Sequence, residues 1–192
     1  MIGHVLGKTF FKATGWTYEV APDALSDPKQ VIIGFPHTTN MDTVRAMAFF
    51  NILQLPYHIL VKQELFKPVF GEVLRGLGCI PVDRQNSKNI VQHMVDEFAQ
   101  HERFSLAVAP EATRGKDGEK RPIRTGFWHI AKAAHVPIVL LMTDNVRHKG
   151  LVLGKIYPSD DMQADLRLIQ AAYAKQGIHV ELPPDKASTP SN

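Results

Sequence analysis

The sequence predicts an α/β protein in which a mostly parallel sheet is covered by helices on both faces. Short apolar segments typical of buried strands alternate with longer amphipathic segments typical of helices, and this alternation favours parallel strands joined by crossover helices. Polar clusters directly follow several of the apolar segments, which is where open α/β sheets place their sites. The length of 192 residues and the 44% hydrophobic content suit one domain with a sizeable core.

Seven strands and six helices are expected. The strands cover 16–20, 31–35, 57–61, 79–83, 104–110, 136–142 and 151–158. The helices cover 2–14, 42–55, 64–78, 87–100, 126–134 and 162–176, and the third is expected to be broken near Pro68 and Gly71. We therefore predict a single domain over residues 1–181, followed by a Pro- and Ser-rich disordered tail over 182–192.

The overall composition restricts the class of partner. A net charge of +3 and a pI near 9.0 suit anionic partners such as phosphates or phospholipid headgroups. Nucleic acid is not favoured, because no basic stripe with interleaved aromatic residues occurs. The single cysteine, Cys79, excludes an intramolecular disulfide, and no apolar run is long enough to span a bilayer. A cytoplasmic protein, with at most peripheral contact with the inner face of the membrane, is expected.

The N-terminal segment from Ile2 to Thr14 is predicted to form a short amphipathic helix. Lysines at positions 8 and 12 lie between its apolar residues, which are Ile2, Val5, Leu6, Phe10 and Phe11. Two interpretations are open. The helix either packs on the domain or lies on a membrane surface.

The stretch VIIGFPHTTNMD, from Val31 to Asp42, ends a buried strand with an imidazole and a carboxylate five positions apart. A carboxylate near one nitrogen of His37 would fix its tautomer and stabilise the imidazolium. The other nitrogen could then accept a proton from a substrate hydroxyl. This spacing alone also fits a polar loop that caps a helix and carries an incidental histidine. A metal site is not favoured, because no second histidine lies at ligand spacing.

Two arginines also follow predicted buried strands. Arg84 comes directly after the strand at 79–83, and Arg114 follows the strand at 104–110. The planar guanidinium of arginine matches the geometry of a phosphate. Glu111, on the same loop as Arg114, could hold an arginine in place or accept a hydrogen bond from a substrate hydroxyl.

Together these motifs resemble the glycerolipid acyltransferase family, of the 1-acylglycerol-3-phosphate or lysophospholipid acyltransferase type. The resemblance rests on four segments that occur in the family's order. They are HTTNMD, VKQELFKPVFGEVLRGLGCIPVDR, PEATRG and RTGFWHIAKAAHVPIVLL, and they cover roughly residues 32–141.

The resemblance implies transfer of a fatty acyl group from acyl-CoA or acyl carrier protein to a hydroxyl of a lysophospholipid. It implies that His37 is the general base and Asp42 its orienting carboxylate, that no acyl-enzyme forms, and that no cofactor is needed beyond the acyl donor. Peripheral contact with a membrane surface would bring the enzyme to its acceptor. The residues that match the family's substrate-binding positions are Lys62, Arg84, Glu111, Thr113 and Arg114.

Two alternatives remain open at this point. The acceptor could be another amphiphile, such as an aminolipid or a sugar lipid. The chain could also be a lipid- or acyl-carrier-binding relative without catalysis, although the His37 and Asp42 pair argues against this.

Overall fold

One seven-stranded sheet forms the centre of the protein. The computed structural model describes residues 2–35, 40–82, 87–110 and 122–184. The strands are β1 (Thr17–Val20), β2 (Lys29–Phe35), β3 (Tyr57–Lys62), β4 (Cys79–Val82), β5 (Phe104–Val108), β6 (Ile138–Asp144) and β7 (Lys149–Ile156). Their order across the sheet is β1-β7-β6-β2-β5-β3-β4, and every neighbouring pair is parallel except β6 and β7. The predicted mostly parallel sheet is therefore confirmed.

The helices of the described chain connect and cover these strands. They are α1 (Ile2–Ala13), α2 (Asn40–Ile52), α3 (Pro68–Gly76), α4 (Ser87–Gln100), α5 (Gly126–Ala133) and α6 (Met162–Ala174). A short 3-10 helix, Gln63–Leu65, precedes α3.

Both faces of the sheet are covered, as the alternation along β2 shows. Val31 and Ile33 belong to one buried cluster together with side chains of α4, α5 and α6, and we call this the α4–α6 face. Ile32 points to the opposite side and belongs to a second cluster with side chains of α1 and α2, the α1–α2 face. Successive side chains of a strand point to opposite faces, so this near-continuous apolar run is what a doubly covered strand requires.

Two breaks are expected in the predicted helix at 64–78. The break near Pro68 is confirmed, and the break near Gly71 is wrong. The α-helix α3 begins at Pro68, where proline is tolerated because its missing N–H lies in the first turn. Gly71, however, continues the helix, and its N–H donates to the Lys67 carbonyl. A side chain at this position would meet the Phe66 backbone at 3.3 Å. Glycine therefore allows a close approach within the helix and does not end it.

The N-terminal helix α1 packs against α2, as the packing interpretation predicts, and membrane contact by its other side stays a prediction. A Cβ added at Gly7 would lie 2.6 Å from the Ala48 carbonyl oxygen, which shows how closely the two helices approach. Phe11 is buried in the cluster on the α1–α2 face. The opposite side of α1 leaves Val5 and Leu6 exposed. None of the helices in the described ranges is both long and apolar enough to cross a membrane.

The described chain continues past the predicted domain boundary at residue 181. Leu182 packs against the cluster on the α4–α6 face, and the description ends at Pro184. The rest of the predicted tail, 185–192, lies outside the described residues.

Candidate active site

Five parallel strands, β6, β2, β5, β3 and β4, end at one edge of the sheet, and this edge is the candidate site. These strands are successive parallel neighbours. Their carboxyl ends, at Asp144, Phe35, Val108, Lys62 and Val82, therefore share one edge. Ligands of open α/β sheets bind at the carboxyl ends of the strands.

Most of the predicted site residues lie outside the described residues. These residues are His37, Arg84, Glu111, Thr113 and Arg114. The described strands that precede them in the chain are β2 for His37, β4 for Arg84 and β5 for the other three. Their catalytic and substrate-binding roles stay predictions.

Asp42 lies in the first turn of α2, and its side chain is only 2% exposed. The positive end of the helix dipole favours a carboxylate there. Burying a carboxylate is costly unless charge and hydrogen bonds compensate for the lost water. Asp42 has such partners in the described structure, and two of them come from residues that the sequence did not single out.

Arg45 and Asn145 form a closed triangle of hydrogen bonds with Asp42. The Arg45 guanidinium donates from Nη1 to Asp42 Oδ1 at 3.2 Å and to Asn145 Oδ1 at 2.9 Å. The Asn145 amide donates from Nδ2 to Asp42 Oδ1 at 3.0 Å. The i, i+3 spacing of Asp42 and Arg45 on a helix could have indicated this pair. Nothing in the sequence indicated Asn145, which is 103 residues away from Asp42.

Asn145 reaches the site because it follows the end of β6. Strand β6 is the parallel neighbour of β2, with Met142 opposite Phe35, so the turn after β6 lies at the same edge as the loop after β2. The buried Asp144 shapes this turn: its Oδ1 accepts hydrogen bonds from the backbone N–H groups of Val146 and Arg147, both at 2.9 Å.

An aromatic stack supports the other side of Arg45. The guanidinium carbon lies 4.9 Å from the centre of the Trp16 ring, within the range of a cation–π contact. Trp16 in turn stacks on His148, with ring centres 5.6 Å apart and planes 6° apart. The Arg45 side chain is consequently only 23% exposed.

The remaining predicted residue that can be described, Lys62, ends β3 at the candidate edge. It pairs with Val82 of β4, and its side chain is exposed. Its position at the carboxyl end of a strand is compatible with substrate binding, and that role stays a prediction.

Cys79 begins β4, and its side chain is half-buried. Partial burial raises the pKa of the Cys79 thiol. The thiolate is the nucleophilic form, so a raised pKa disfavours attack on a thioester.

The sheet is mostly parallel, and a buried carboxylate follows its central strand. These features place the chain among the α/β proteins that bind ligands at the carboxyl ends of their strands. Within that class, this chain belongs to the Acyltransferase family, whose model matches residues 19–142, more than half of the chain. The family expected from the sequence motifs is thereby confirmed.

Several curated relatives carry the name 1-acyl-sn-glycerol-3-phosphate acyltransferase. The relatives from Salmonella typhimurium and Escherichia coli are each 31% identical over 138 residues, covering 66% of this chain and 55% of the relative. The relative from Limnanthes alba is 26% identical over 144 residues, covering 72% of this chain and 49% of the relative. The chain thus spans about half the length of the curated relatives it matches.

A solved structure shares the fold. The 1-acyl-sn-glycerophosphate (LPA) acyltransferase PlsC from Thermotoga maritima aligns with a TM-score of 0.61 at 16% identity. The alignment covers 92% of this chain and 77% of that one. At this identity the likeness concerns the α/β fold alone.

Proposed function

We propose that this protein transfers a fatty acyl group from an acyl thioester to a hydroxyl of a lysophospholipid, with 1-acylglycerol 3-phosphate as the first candidate acceptor. The observation that carries the proposal is the buried Asp42 carboxylate, which lies five residues after His37 in the first turn of α2. Membership in the Acyltransferase family and the names of the curated relatives support the same reaction.

In the proposed reaction, His37 acts as a general base and Asp42 orients it. The imidazole accepts the proton of the acceptor hydroxyl as the oxygen forms a bond to the thioester carbonyl carbon. The carbon–sulfur bond then breaks, the sulfur leaves as a thiol after taking the proton from the imidazolium, and an ester remains. The Asp42 carboxylate stabilises the imidazolium while it carries the positive charge. The acyl group passes directly between substrates, and no acyl-enzyme is involved.

Acceptor binding is assigned to the loops that follow β4 and β5. We propose that Arg84 and Arg114 bind the phosphate of the acceptor, because two guanidinium groups suit a dianionic phosphate. Glu111 and Thr113 are proposed to contact acceptor hydroxyls or to hold an arginine in place, and Lys62 to bind an anionic group of either substrate.

The donor and the place of reaction complete the proposal. Acyl-CoA and acyl carrier protein both present a thioester, and either is a suitable donor. We propose that the enzyme meets its amphiphilic acceptor while bound peripherally at a membrane surface, using the exposed side of α1.

The test is an acyl-transfer assay with labelled acyl-CoA and acyl carrier protein against a panel of acceptors. The panel contains 1-acylglycerol 3-phosphate, a lysophospholipid without a terminal phosphate, an aminolipid and a sugar lipid. His37→Ala should lower kcat by about 10²- to 10⁴-fold, the usual contribution of a general base. Asp42→Asn should also lower kcat strongly through loss of imidazolium stabilisation.

Asp96→Asn is the matched control, because Asp96 is an exposed carboxylate on α4 and should tolerate the same substitution. Near wild-type turnover by a folded His37→Ala protein would contradict the mechanism. If Arg84→Ala and Arg114→Ala slow acceptors with and without a phosphate equally, the arginines do not bind phosphate. The aminolipid or sugar lipid would then become the leading acceptor.

A further inference from the structure

We propose that Arg45 and Asn145 are positioning residues for acyl transfer, which act by holding the Asp42 carboxylate in a fixed orientation. The proposal rests on the proposed function, in which Asp42 orients the general base. It assigns a role to two residues that none of the sequence motifs includes.

The contacts favour orientation of the carboxylate. Asp42 Oδ1 accepts from Arg45 Nη1 and from Asn145 Nδ2, at 3.2 Å and 3.0 Å, while Arg45 Nη1 also donates to Asn145 Oδ1. Rotation about χ2 of an aspartate is only weakly restricted. A carboxylate that must orient an imidazole therefore needs hydrogen bonds from its surroundings to hold it. Two donors on one oxygen, one from α2 and one from the turn after β6, supply that restraint, and the guanidinium adds a compensating charge to the buried group.

Maintaining the turn does not require the side chain of Asn145. The turn between β6 and β7 is already closed by the hydrogen bonds that Asp144 accepts from two backbone N–H groups. Its far end is fixed by the Thr17 N–H, which donates to the His148 carbonyl at 3.0 Å. The amide of Asn145 is therefore available to act on Asp42 and Arg45.

The position of Arg45 is also fixed independently of Asp42. The Trp16 ring, which is buried and stacked on His148, lies against the guanidinium. The stack restricts the guanidinium to the place from which it contacts Asp42.

The experiment is a kinetic double-mutant cycle on the full chain. Arg45→Met should lower kcat by about 10- to 100-fold, the range expected for loss of a charge-assisted hydrogen bond, with little change in KM. In the Asp42→Asn background the same substitution should have little further effect, because Arg45 acts through Asp42. Arg45→Lys should restore part of kcat, since lysine keeps the charge but lacks the planar guanidinium. Asn145→Ala should give a smaller loss that is likewise absent in the Asp42→Asn background.

Arg75→Met is the matched control. Arg75 pairs with Glu72 at the same i, i+3 spacing, but both side chains are exposed on α3. This substitution should leave kcat unchanged. Urea unfolding of each variant provides a second cycle that does not depend on activity, and Arg45 and Asp42 should show non-additive changes in the free energy of unfolding.

The outcomes separate this inference from the proposed function. If Asp42→Asn lowers kcat but Arg45→Met does not, or if Arg45→Met lowers kcat equally in both backgrounds, the positioning role is wrong. If the wild-type chain acylates none of the acceptors, the proposed function is contradicted. Additive unfolding effects of Arg45→Met and Asp42→Asn would overturn the positioning inference even then.

Discussion

Two buried aspartates show how the surroundings of a carboxylate separate a candidate catalytic group from a structural one. Asp165 of α6 accepts hydrogen bonds from the Trp128 indole at 2.8 Å and from the Ser159 N–H at 2.7 Å. Both donors are neutral, and they lie on α5 and in the segment just before α6. Asp42, by contrast, has a guanidinium partner and lies at the carboxyl edge of the sheet. Burial alone would not distinguish the two residues.

Direct transfer predicts that the one cysteine is dispensable for chemistry. Cys79→Ser should leave kcat within a few-fold of wild type in the folded protein, because the raised pKa of the thiol disfavours the nucleophilic thiolate. Mass spectrometry of the enzyme incubated with acyl donor alone should show no acylated protein. An acyl adduct on Cys79 that turns over when acceptor is added would show a covalent route instead.

Among the elements, α6 is hydrogen-bonded to the centre of the sheet through Tyr173. The Tyr173 hydroxyl lies 3.1 Å from the Ile33 carbonyl oxygen and 2.9 Å from that of Leu141, on the neighbouring strands β2 and β6. The ring is fully buried and packs edge-on against Phe35, with ring centres 4.7 Å apart. Burial raises the pKa of the Tyr173 hydroxyl well above its ordinary value, so it stays protonated and able to donate.

Tyr173→Phe should therefore destabilise the protein without removing the ring from the core. We expect the free energy of unfolding to fall by about 1–3 kcal/mol, because the buried hydroxyl proton that the two carbonyl oxygens share is lost. Tyr157→Phe is the control: the Tyr157 hydroxyl is exposed and donates to Asp27 at 2.9 Å, and its loss should change stability by no more than about 0.5 kcal/mol. Equal effects in urea unfolding would show that the buried hydroxyl contributes nothing specific.

At the scale of the whole molecule, the two sides of α1 face different surroundings. One side packs on α2 and buries Phe11, while the other exposes Val5 and Leu6 to 61% and 63%. Removing the whole helix would open the core on the α1–α2 face. Point substitutions on the exposed side are therefore the proper test of membrane contact.

Val5→Asp combined with Leu6→Asp should weaken binding to anionic phospholipid vesicles by about 10- to 100-fold, since two apolar side chains lose their insertion energy. High salt should weaken binding of the wild-type chain as well, because it screens exposed charges. Leu168→Asp is the control, since Leu168 is 57% exposed on α6, across the sheet from α1. Unchanged sedimentation of the doubly substituted protein with vesicles would leave α1 a purely structural helix.

Much of this architecture could be predicted because it is encoded locally. Continuous apolar runs such as 31–35 indicate strands buried on both faces, and all seven predicted strands occur in the described chain. The spacing of His37 and Asp42 is likewise local. The wrong break at Gly71 has a local cause that hydrophobic periodicity does not report, since the Phe66 backbone just before α3 passes so close that glycine is useful inside the helix.

By itself, the sequence determined the order and type of the elements, the family, and the carboxylate in the first turn of α2. The tertiary structure decided what surrounds that carboxylate. Asn145 is 100 residues from Arg45 in the chain, and only the parallel pairing of β2 with β6 brings the turn after one strand beside the helix after the other. Hydrophobic periodicity reports which side of an element is buried, but it carries no information about which distant polar side chain will meet it.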